Sequence, residues 1–373
     1  MQEIKKRRIV LASVLKPANE PRMFDKIGST LANDYDVYCI GAPLRTASNL
    51  ASNPKVVEIP NVKRLSLSRL FVPFKILRKV IELRPALLII CTHELLLIAW
   101  LAKLITRCTI IYDVQENYYR NIRYGTSFPF FLRELIASYV RTKEVISKAF
   151  VSHYFLAEKA YKQEMTFFGT KKTILENKTV ESAMAIKANT DKEDGCIQFL
   201  FSGTLAETTG VFIAIDVMKK LHELDNKVRL NIVGYSADRR TVDLIRSAIQ
   251  NHDFIQLKGG NTLVAHNEIV SEILSADFGI ISYPPNPSTA NSVPTKLFEY
   301  LACSLPILLI DNPQWLRLCE PYNAAIPFNP QTFSASSTLK ALKEQKFYTT
   351  LPQDVFWSSE EQKLLQTIET LGI

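Results

Sequence analysis

A short run in the last third of the chain places one carboxylate in an apolar helix. Residues 294–302 read Pro-Thr-Lys-Leu-Phe-Glu-Tyr-Leu-Ala, so Glu299 stands beside Leu297, Phe298 and Leu301. A carboxylate in such surroundings needs partners, because an unpaired one is costly or becomes protonated. Hydroxyl groups of a bound ligand would serve. A neighbouring Lys or Arg, or simple exposure to solvent, would serve as well, and the local residues leave these alternatives open.

The flanking residues predict where this helix lies. Residues 276–283 are typical of a buried strand that ends at Pro284, and residues 305–310 are typical of the next strand. In an open parallel sheet, the loop and helix that follow a strand line the ligand crevice, and a helix N-terminus favours phosphate. We therefore expect Lys296 to contact a phosphate group; an ion pair with Glu299 or solvent exposure is the alternative.

Alternating strand and helix patterns run through both halves of the 373-residue chain. They predict an α/β protein with two Rossmann-like, doubly wound domains. We expect an N-terminal domain over residues 1–182, a linker over 183–196, a C-terminal domain over 197–350 and a helix within residues 351–373. The linker is polar and charged, without an apolar period.

Several segments, taken in order, resemble those of GT-B fold glycosyltransferases, especially the family 4-like retaining group. The resemblance rests on the 294–302 run and on strand and loop segments that cover nearly the whole chain, namely residues 8–13, 21–27, 85–90, 92–94, 110–116, 199–205 and 231–235. It implies an N-terminal acceptor-side domain and a C-terminal nucleotide-sugar-binding domain that face each other across a cleft, with the helix of residues 351–373 crossing back to the first domain. It also implies transfer of a sugar from a nucleotide-sugar donor, with retention, to a glycan or lipid-linked acceptor in surface polysaccharide or glycoconjugate synthesis. The donor is then a substrate, and no cofactor is expected.

The resemblance also assigns roles to residues. It implies that Glu299 holds the donor ribose, and that the other donor-binding residues are Lys296, Asn291, Ser292, Pro294, Thr295, Gly203, Thr204 and Gly234. The candidate catalytic residues on the acceptor side are Glu116, Gln115 and His93. Glu116 could instead cap or pair locally, and a lone histidine such as His93 is more often structural.

Three departures from the family pattern put full activity in question. Asn291 stands where many relatives carry a second acidic residue, Gln115 stands at a histidine position, and no cation follows the glycine loop at residues 203–210. An amide can still hydrogen-bond a sugar, but Gln115 cannot transfer a proton. Two rival functions therefore remain: a degenerate GT-B protein that acts as a scaffold or partner for another transferase, and a nucleotide-sugar epimerase.

Other functional classes lack sequence support. The six cysteines show no metal-binding spacing, and the one DxD triplet, at residues 34–36, precedes a predicted strand, so no metal site is expected. Neither a P-loop nor a GxGxxG fingerprint is present, which disfavours an ATPase or a dehydrogenase. Nucleic-acid binding motifs are also missing.

The distribution of charge predicts a surface role for the first half. Residues 1–190 carry 30 Lys and Arg against 16 Asp and Glu, whereas residues 191–373 carry 15 against 21. Residues 63–80 interleave basic and apolar side chains, which suits an anionic membrane surface. The alternative is a helix over 73–84 that covers a sheet, with Phe74, Leu77, Val80 and Ile81 in the core. We expect a cytoplasmic protein, peripheral at the inner face of the membrane if the first interpretation holds.

Overall fold

The computed structural model describes residues 6–44, 52–62, 66–125, 128–181, 195–287 and 291–373. The chain divides into two compact units, the first comprising Met1–Asn177 and Trp357–Ile373 and the second Lys178–Phe356. Most of the predicted linker, and the start of the basic 63–80 segment, lie outside the described residues. The domain limits expected from the sequence stay predictions.

The first unit is built on a parallel sheet whose described strands follow the order β3-β2-β1-β4-β5-β6-β7. The strands are β1 (Arg8–Pro17), β2 (Asp36–Ala42), β3 (Lys55–Glu58), β4 (Leu87–Ile90), β5 (Thr109–Val114), β6 (His153–Leu156) and β7 (Lys172–Ile174). The central strand β4 reads Leu-Leu-Ile-Ile and is buried throughout, as expected of a strand covered on both faces.

The helices of the first unit connect these strands. A turn of π-helix (Arg22–Gly28) leads into α1 (Ser29–Ala32), and 3-10 turns at Leu67–Phe71 and His93–Leu95 lead into the next two helices. The helices are α2 (Val72–Leu83), α3 (Leu96–Thr106), α4 (Tyr118–Tyr124), α5 (Phe130–Ser147) and α6 (Tyr161–Glu164).

The second unit holds another parallel sheet, with described strands in the order β10-β9-β8-β11-β12-β13. The strands are β8 (Ile197–Thr204), β9 (Val228–Tyr235), β10 (Ile255–Gly260), β11 (Phe278–Ile281), β12 (Ile307–Ile310) and β13 (Ala325–Phe328). The helices are α7 (Val211–Leu224), α8 (Arg239–Ile249), α9 (His266–Ser275), α10 (Thr295–Ala302), α11 (Pro313–Cys319) and α12 (Ala335–Glu344). The predicted α/β fold class, with two doubly wound sheets, is confirmed.

The last helix, α13 (Ser358–Thr370), lies in the first unit. The indole Nε1 of Trp357 donates to the hydroxyl of Thr30 at 2.9 Å, and the hydroxyls of Thr367 and Thr173 are 3.0 Å apart. These buried hydrogen bonds fasten the C-terminal residues to α1 and β7.

One prediction about α2 is wrong. Phe74, expected in the core, is 52% exposed. The buried residues of the helix are Val72, Pro73, Ile76 and Val80. Positions 72, 76 and 80 follow the i, i+4 spacing of one helical stripe, and Phe74 is turned away from that stripe.

The order of the strands indicates where a ligand would bind to each sheet. In each sheet the direction of strand addition reverses once, between β1 and β4 in the first unit and between β8 and β11 in the second. Ligands of open α/β sheets bind beside the carboxyl ends of the strands at such a switch point. Among the described helices, none has the length and apolar character needed to span a bilayer.

Candidate functional site

Helix α10 begins at the switch point of the second unit. Pro294 precedes it in an extended conformation, which suits the residue before a helix, and the helix lies between β11 and β12. The buried Tyr300 hydroxyl lies 2.9 Å from the Ser202 hydroxyl and donates to the Leu200 carbonyl at 3.3 Å. These contacts fix α10 against β8, so the first turn of the helix faces the loop that follows β8.

Lys296 is the most unusual side chain of this site. It is 5% exposed, and its Nζ has no hydrogen-bond partner among the described residues. The ammonium lies 4.3 Å from the ring centroid of Phe201 and 5.1 Å from that of Tyr283. Cation–π contacts offset only part of the cost of burying a charge.

Burial therefore lowers the pKa of Lys296 to about 7, although the nearby Glu299 carboxylate acts in the opposite direction. A buried cation without a hydrogen-bonded anion is what a pre-formed anion site presents before its ligand arrives. Of the alternatives left open by the sequence, solvent exposure of Lys296 is wrong, and no hydrogen bond joins its Nζ to Glu299.

Glu299 lies one turn further along α10 and is half-buried. The free-energy cost of burying the Glu299 carboxylate is therefore smaller than its apolar sequence neighbours suggest. Its carboxylate takes part in no hydrogen bond among the residues described, but it acts electrostatically on Lys296 and Tyr283. It remains available to accept hydrogen bonds from a ligand.

The loop after β8 brings Gly203 against Lys296. A Cβ atom built on Gly203 would lie 3.6 Å from Lys296 Cε and 3.7 Å from its Nζ, and Gly203 has a φ of 99° that disfavours other residues. Gly234 serves the same close packing, because a Cβ there would lie 1.7 Å from the Gly203 carbonyl oxygen. The structure thus brings together two motifs that are more than ninety residues apart in sequence.

The hydroxyls of this loop are not equivalent. Thr204 is exposed, whereas Thr209 is buried and its hydroxyl is engaged with the backbone of Thr204 and Ala206. Thr209 shapes the turn into α7, so Thr204 is the better placed of these two threonines to meet a ligand.

Helix α11 holds the segment that precedes α10. The Gln314 side chain donates to the Asn291 carbonyl at 3.1 Å, and Trp315 Nε1 donates to the Ser292 carbonyl at 2.9 Å. The Asn291 and Thr295 side chains are exposed. The structure therefore gathers the predicted donor-binding residues around one helix start and one glycine loop, while their roles stay predictions.

The acceptor-side candidates lie in the first unit. Gln115 follows β5, where its Nε2 donates to Asp113 at 2.7 Å and its Oε1 accepts from Lys16. Asp113 in turn forms a buried pair with Arg22 at 2.7 Å. This network holds Gln115 in place, which is a structural role that its sequence position alone did not indicate.

His93 and Glu116 each have partners within the first unit. The His93 ring meets Tyr118 edge to face at 4.6 Å, and its Nδ1 lies 3.2 Å from Lys143 Nζ. Burial, with Lys143 and Arg69 nearby, lowers the pKa of His93 to about 3. His93 is therefore a weak base at neutral pH. Glu116 accepts a hydrogen bond from Asn121 at 2.9 Å, consistent with the local pairing considered above.

A cavity of about 340 Å³ in the first unit was missed by the sequence analysis. It is lined by Asn117, which precedes α4, and by side chains of α4, α5 and α6, namely Tyr119, Arg120, Tyr124, Arg141 and Glu164. Amide, carboxylate, guanidinium and aromatic groups together suit a hydroxyl-rich ligand. Only the position of Asn117, directly after Glu116, could have indicated this site from sequence.

A buried charge cluster behind the cavity was missed as well. Glu144 is fully buried and accepts from the Tyr112 hydroxyl at 3.1 Å, and its other oxygen lies 3.3 Å from an Arg141 guanidinium nitrogen. Burial raises the pKa of Glu144 to about 7 and lowers that of Lys143 to about 8. The cluster orients Arg141 towards the cavity.

Comparisons with known proteins give a family match for part of the chain and structural likeness for nearly all of it. Residues 183–348 match the family model of glycosyl transferases group 1. Among curated proteins, none shows significant similarity to this sequence.

Solved structures resemble the whole chain. Sucrose-phosphate synthase from Thermosynechococcus elongatus has a TM-score of 0.73 and 12% identity, over 98% of this chain and 99% of its own. HepE from Anabaena, solved with UDP-glucose, has a TM-score of 0.68 and 14% identity, over 98% and 100%. An enzyme from Listeria monocytogenes described as a UDP-N-acetylglucosamine 2-epimerase has a TM-score of 0.62 and 10% identity, over 98% and 96%.

The family model covers the glycine loop, α10 and the whole described part of the second sheet, whereas the structural likeness extends over both units. The structural likeness therefore shows the two-domain GT-B fold over the whole chain, and residues 183–348 match the family model of glycosyl transferases group 1.

Proposed function

We propose that this protein transfers a sugar from a nucleotide-sugar donor, and that the donor diphosphate binds at the start of α10. The observation that carries the proposal is the buried Lys296 ammonium, which has no hydrogen-bond partner among the described residues and lies against Gly203. The family match and the structural neighbours solved with UDP and UDP-glucose support the same donor class.

The geometry suggests how departure of the nucleoside diphosphate is assisted. Negative charge develops on the leaving phosphate. The N-terminal end of α10, which has no side-chain cap, and the Lys296 ammonium are held in place to receive it. Lys296 thereby supplies the cation that the glycine loop lacks. The Glu299 carboxylate, one turn away, is free to accept hydrogen bonds from ribose hydroxyls.

On the acceptor side, we propose that the cavity beside Asn117 and Arg141 binds the acceptor glycan, either free or lipid-linked. Gln115 can position a group but cannot transfer a proton, and His93 is held neutral. Glu116, which accepts a hydrogen bond from Asn121, is then the only candidate base among the predicted acceptor-side residues, and this is compatible with the retention implied by the family resemblance. Analysis of the anomeric configuration of the product tests this point.

We also propose that the reaction needs no metal and no cofactor. It takes place in the cytoplasm, at the inner face of the membrane, and serves surface polysaccharide or glycoconjugate synthesis. The basic first half of the chain supports an anionic surface as partner. No nucleic acid is expected to bind.

The donor site is tested by calorimetric titration of a panel of nucleotides and nucleotide sugars, without metal, into the wild type, Glu299→Ala and the control Glu344→Ala. Glu344 is an exposed carboxylate at the end of α12. We expect one donor to bind and its affinity to fall by about tenfold or more only in Glu299→Ala. If folded wild type binds no nucleotide, the donor-site proposal is wrong and the scaffold function is favoured.

A nucleotide-sugar epimerase is the remaining rival, and one structural neighbour is described as such an enzyme. Incubation of the donor without acceptor separates the two functions, because an epimerase would convert the sugar and a transferase would not.

A further inference from the structure

Three helices of the first unit form one layer on a single face of its sheet. Helix α2 leads into β4, α3 connects β4 to β5, and α5 lies between β5 and β6. Each of these connections leads to a strand further along the sheet in the same direction. Because connections between parallel strands are right-handed, all three helices lie on the same side of the sheet. Helix α2 packs against α3, and α3 packs against α5.

The outer side of this layer is apolar. The exposed large hydrophobic residues of the three helices and of the 3-10 turn before α2 define what we call the apolar face: Leu67, Leu70, Phe71, Phe74, Leu97, Trp100, Leu104, Ile105, Phe130, Phe131, Leu132, Leu135, Tyr139, Val145 and Ile146. Six of them are aromatic, and nine are 60% exposed or more, among them Phe131 (79%) and Leu135 (69%).

These residues are not needed for the core. The same helices bury a separate stripe against the sheet, such as Val72 and Ile76 in α2 and Ile98 and Ala102 in α3. A helix that is apolar on both sides is normally covered on both sides. In the second unit, by contrast, the exposed large hydrophobic residues among the described positions lie on different elements or loops, at Leu224, Leu244, Leu263 and Leu351.

The charges beside the apolar face are mostly positive. Residues 67–84, 96–107 and 130–148 contain eleven Lys and Arg against three Glu. Glu82 is paired with Arg78 and Lys79, Glu134 with Arg123, and Glu144 is buried.

Several of the cations have no such partner. Lys75, Arg84, Arg107 and Lys148 are exposed and have no carboxylate partner within the described part of the chain. Arg84, Arg107 and Lys148 stand at the C-terminal ends of the three helices, where a cation also complements the helix dipole. Lys75 lies inside α2 and has no such structural reason.

We propose that the apolar face is a docking surface for an anionic phospholipid bilayer, into whose headgroup region the apolar side chains insert while the surrounding cations contact lipid phosphates. The aromatic residues Trp100 and Tyr139 suit the headgroup level. A second copy of the chain is a poorer occupant, because a two-fold contact would bring unpaired cations such as Lys75 and Lys148 of one copy towards those of the other.

This inference rests on the proposed function for its biological purpose. The cavity proposed for the acceptor is lined by Arg141 of α5, and α5 also carries Leu135 and Tyr139 of the apolar face. Docking of this face would therefore hold the cavity close to the headgroups of a lipid-linked acceptor.

The test is co-sedimentation of the full chain with vesicles of phosphatidylcholine alone and with vesicles that contain about one-third phosphatidylglycerol, over a series of salt concentrations. The apolar variant is Leu104→Glu with Leu135→Glu, and its matched control is Leu224→Glu with Leu244→Glu in the second unit. The charge variant is Lys75→Ala with Lys148→Ala, and its control is Lys340→Ala with Lys346→Ala, two exposed lysines of the second unit.

We expect the wild type to bind the anionic vesicles and to be released by salt. The charge variant should lose about thirtyfold in vesicle affinity, because each cation near an anionic surface contributes about fivefold. The apolar variant should lose at least about tenfold. Both controls should bind as the wild type does.

Equal binding to both vesicle types, no binding, or equal losses in the control variants would overturn the proposal. A wild-type dimer that the apolar variant converts to a monomer, without a change in vesicle affinity, would assign the face to self-association. Donor binding by the same variants is measured by calorimetry. Vesicle binding without donor binding would refute the proposed function alone, and donor binding without vesicle binding would refute the docking surface alone.

Discussion

Replacing Lys296 by methionine should make the protein more stable and less able to bind its donor. The side chain is 5% exposed, and burial lowers its pKa from 10.5 to about 7. Each pKa unit corresponds to about 1.4 kcal/mol. Below pH 7, where Lys296 is protonated in the unfolded chain, its burial therefore lowers the free energy of unfolding by about 4 to 5 kcal/mol. Allowing for relaxation around the ammonium, we expect Lys296→Met to gain about 2 to 4 kcal/mol at pH 7.

The size of this effect depends on pH in a defined way. Between about pH 7 and pH 10.5, the unfolded state binds more protons at Lys296 than the folded state does, so the stability of the wild type rises with pH across that interval. The variant lacks this rise. The advantage of Lys296→Met should therefore be full below pH 7 and vanish near pH 10.5, as measured by urea unfolding at a series of pH values.

Donor binding should change in the opposite direction. Loss of a charged hydrogen bond to phosphate costs about 1.5 to 3 kcal/mol, or about ten- to 150-fold in Kd. Binding by the wild type should also take up protons at pH 7 to 9, which calorimetry in buffers of different ionisation enthalpy detects. Lys340→Met, at an exposed position, is the control. A destabilised Lys296→Met, or one with unchanged donor affinity, would refute the interpretation of Lys296 as a vacant phosphate ligand.

Three further predictions concern two buried charged groups and the need for a metal. Burial raises the pKa of Glu144 to about 7, so the stability of the wild type should fall as pH rises from about 4.5 to 7. Thermal unfolding of Glu144→Gln should not show this fall, and the variant should be about 1 to 3 kcal/mol more stable than the wild type above pH 7. Asp113→Asn leaves the fully buried Arg22 without its counter-charge and should cost about 3 to 5 kcal/mol in urea unfolding, whereas a cost below about 1 kcal/mol would show that the pair is dispensable. Chelation by EDTA should leave transferase activity unchanged, and a loss that Mg²⁺ or Mn²⁺ restores would contradict metal independence.

Much of the fold follows from local patterns. Apolar runs bounded by polar or proline-containing segments, such as residues 110–114 and 276–283, correspond to strands β5 and β11 because a strand covered on both faces must be apolar along its length. The helix after Pro294 was also predictable, since proline favours the first positions of a helix and the following residues have the apolar spacing of one.

The site was predictable only where its residues are neighbours in sequence. Glu299 and Lys296 share one turn of helix, but the absence of a hydrogen bond between them depends on where Gly203 and the two aromatic rings lie. The cavity of the first unit joins Asn117 to Arg141 and Glu164, which are separated by helices of a length that the sequence does not fix.

The exposure of Phe74 could not be inferred for a similar reason. A helix with apolar residues on two stripes can bury either one, and only packing against the sheet decides which. The basic residues of the 63–80 segment suggested a surface role, but the contributions of α3 and α5 to the apolar face emerge only when the strand order places these helices side by side.

The path of the chain makes the second unit an insertion within the first. The first unit is discontinuous in sequence, whereas the second is one continuous segment, Lys178–Phe356. The ends of that segment lie side by side, since Thr179 donates its N–H to the Val355 carbonyl at 3.2 Å and Lys178 pairs with Asp354 at 2.8 Å. An insertion with adjacent ends adds little loop-closure entropy to its host. During synthesis the inserted unit can therefore fold before α13 of the host unit leaves the ribosome.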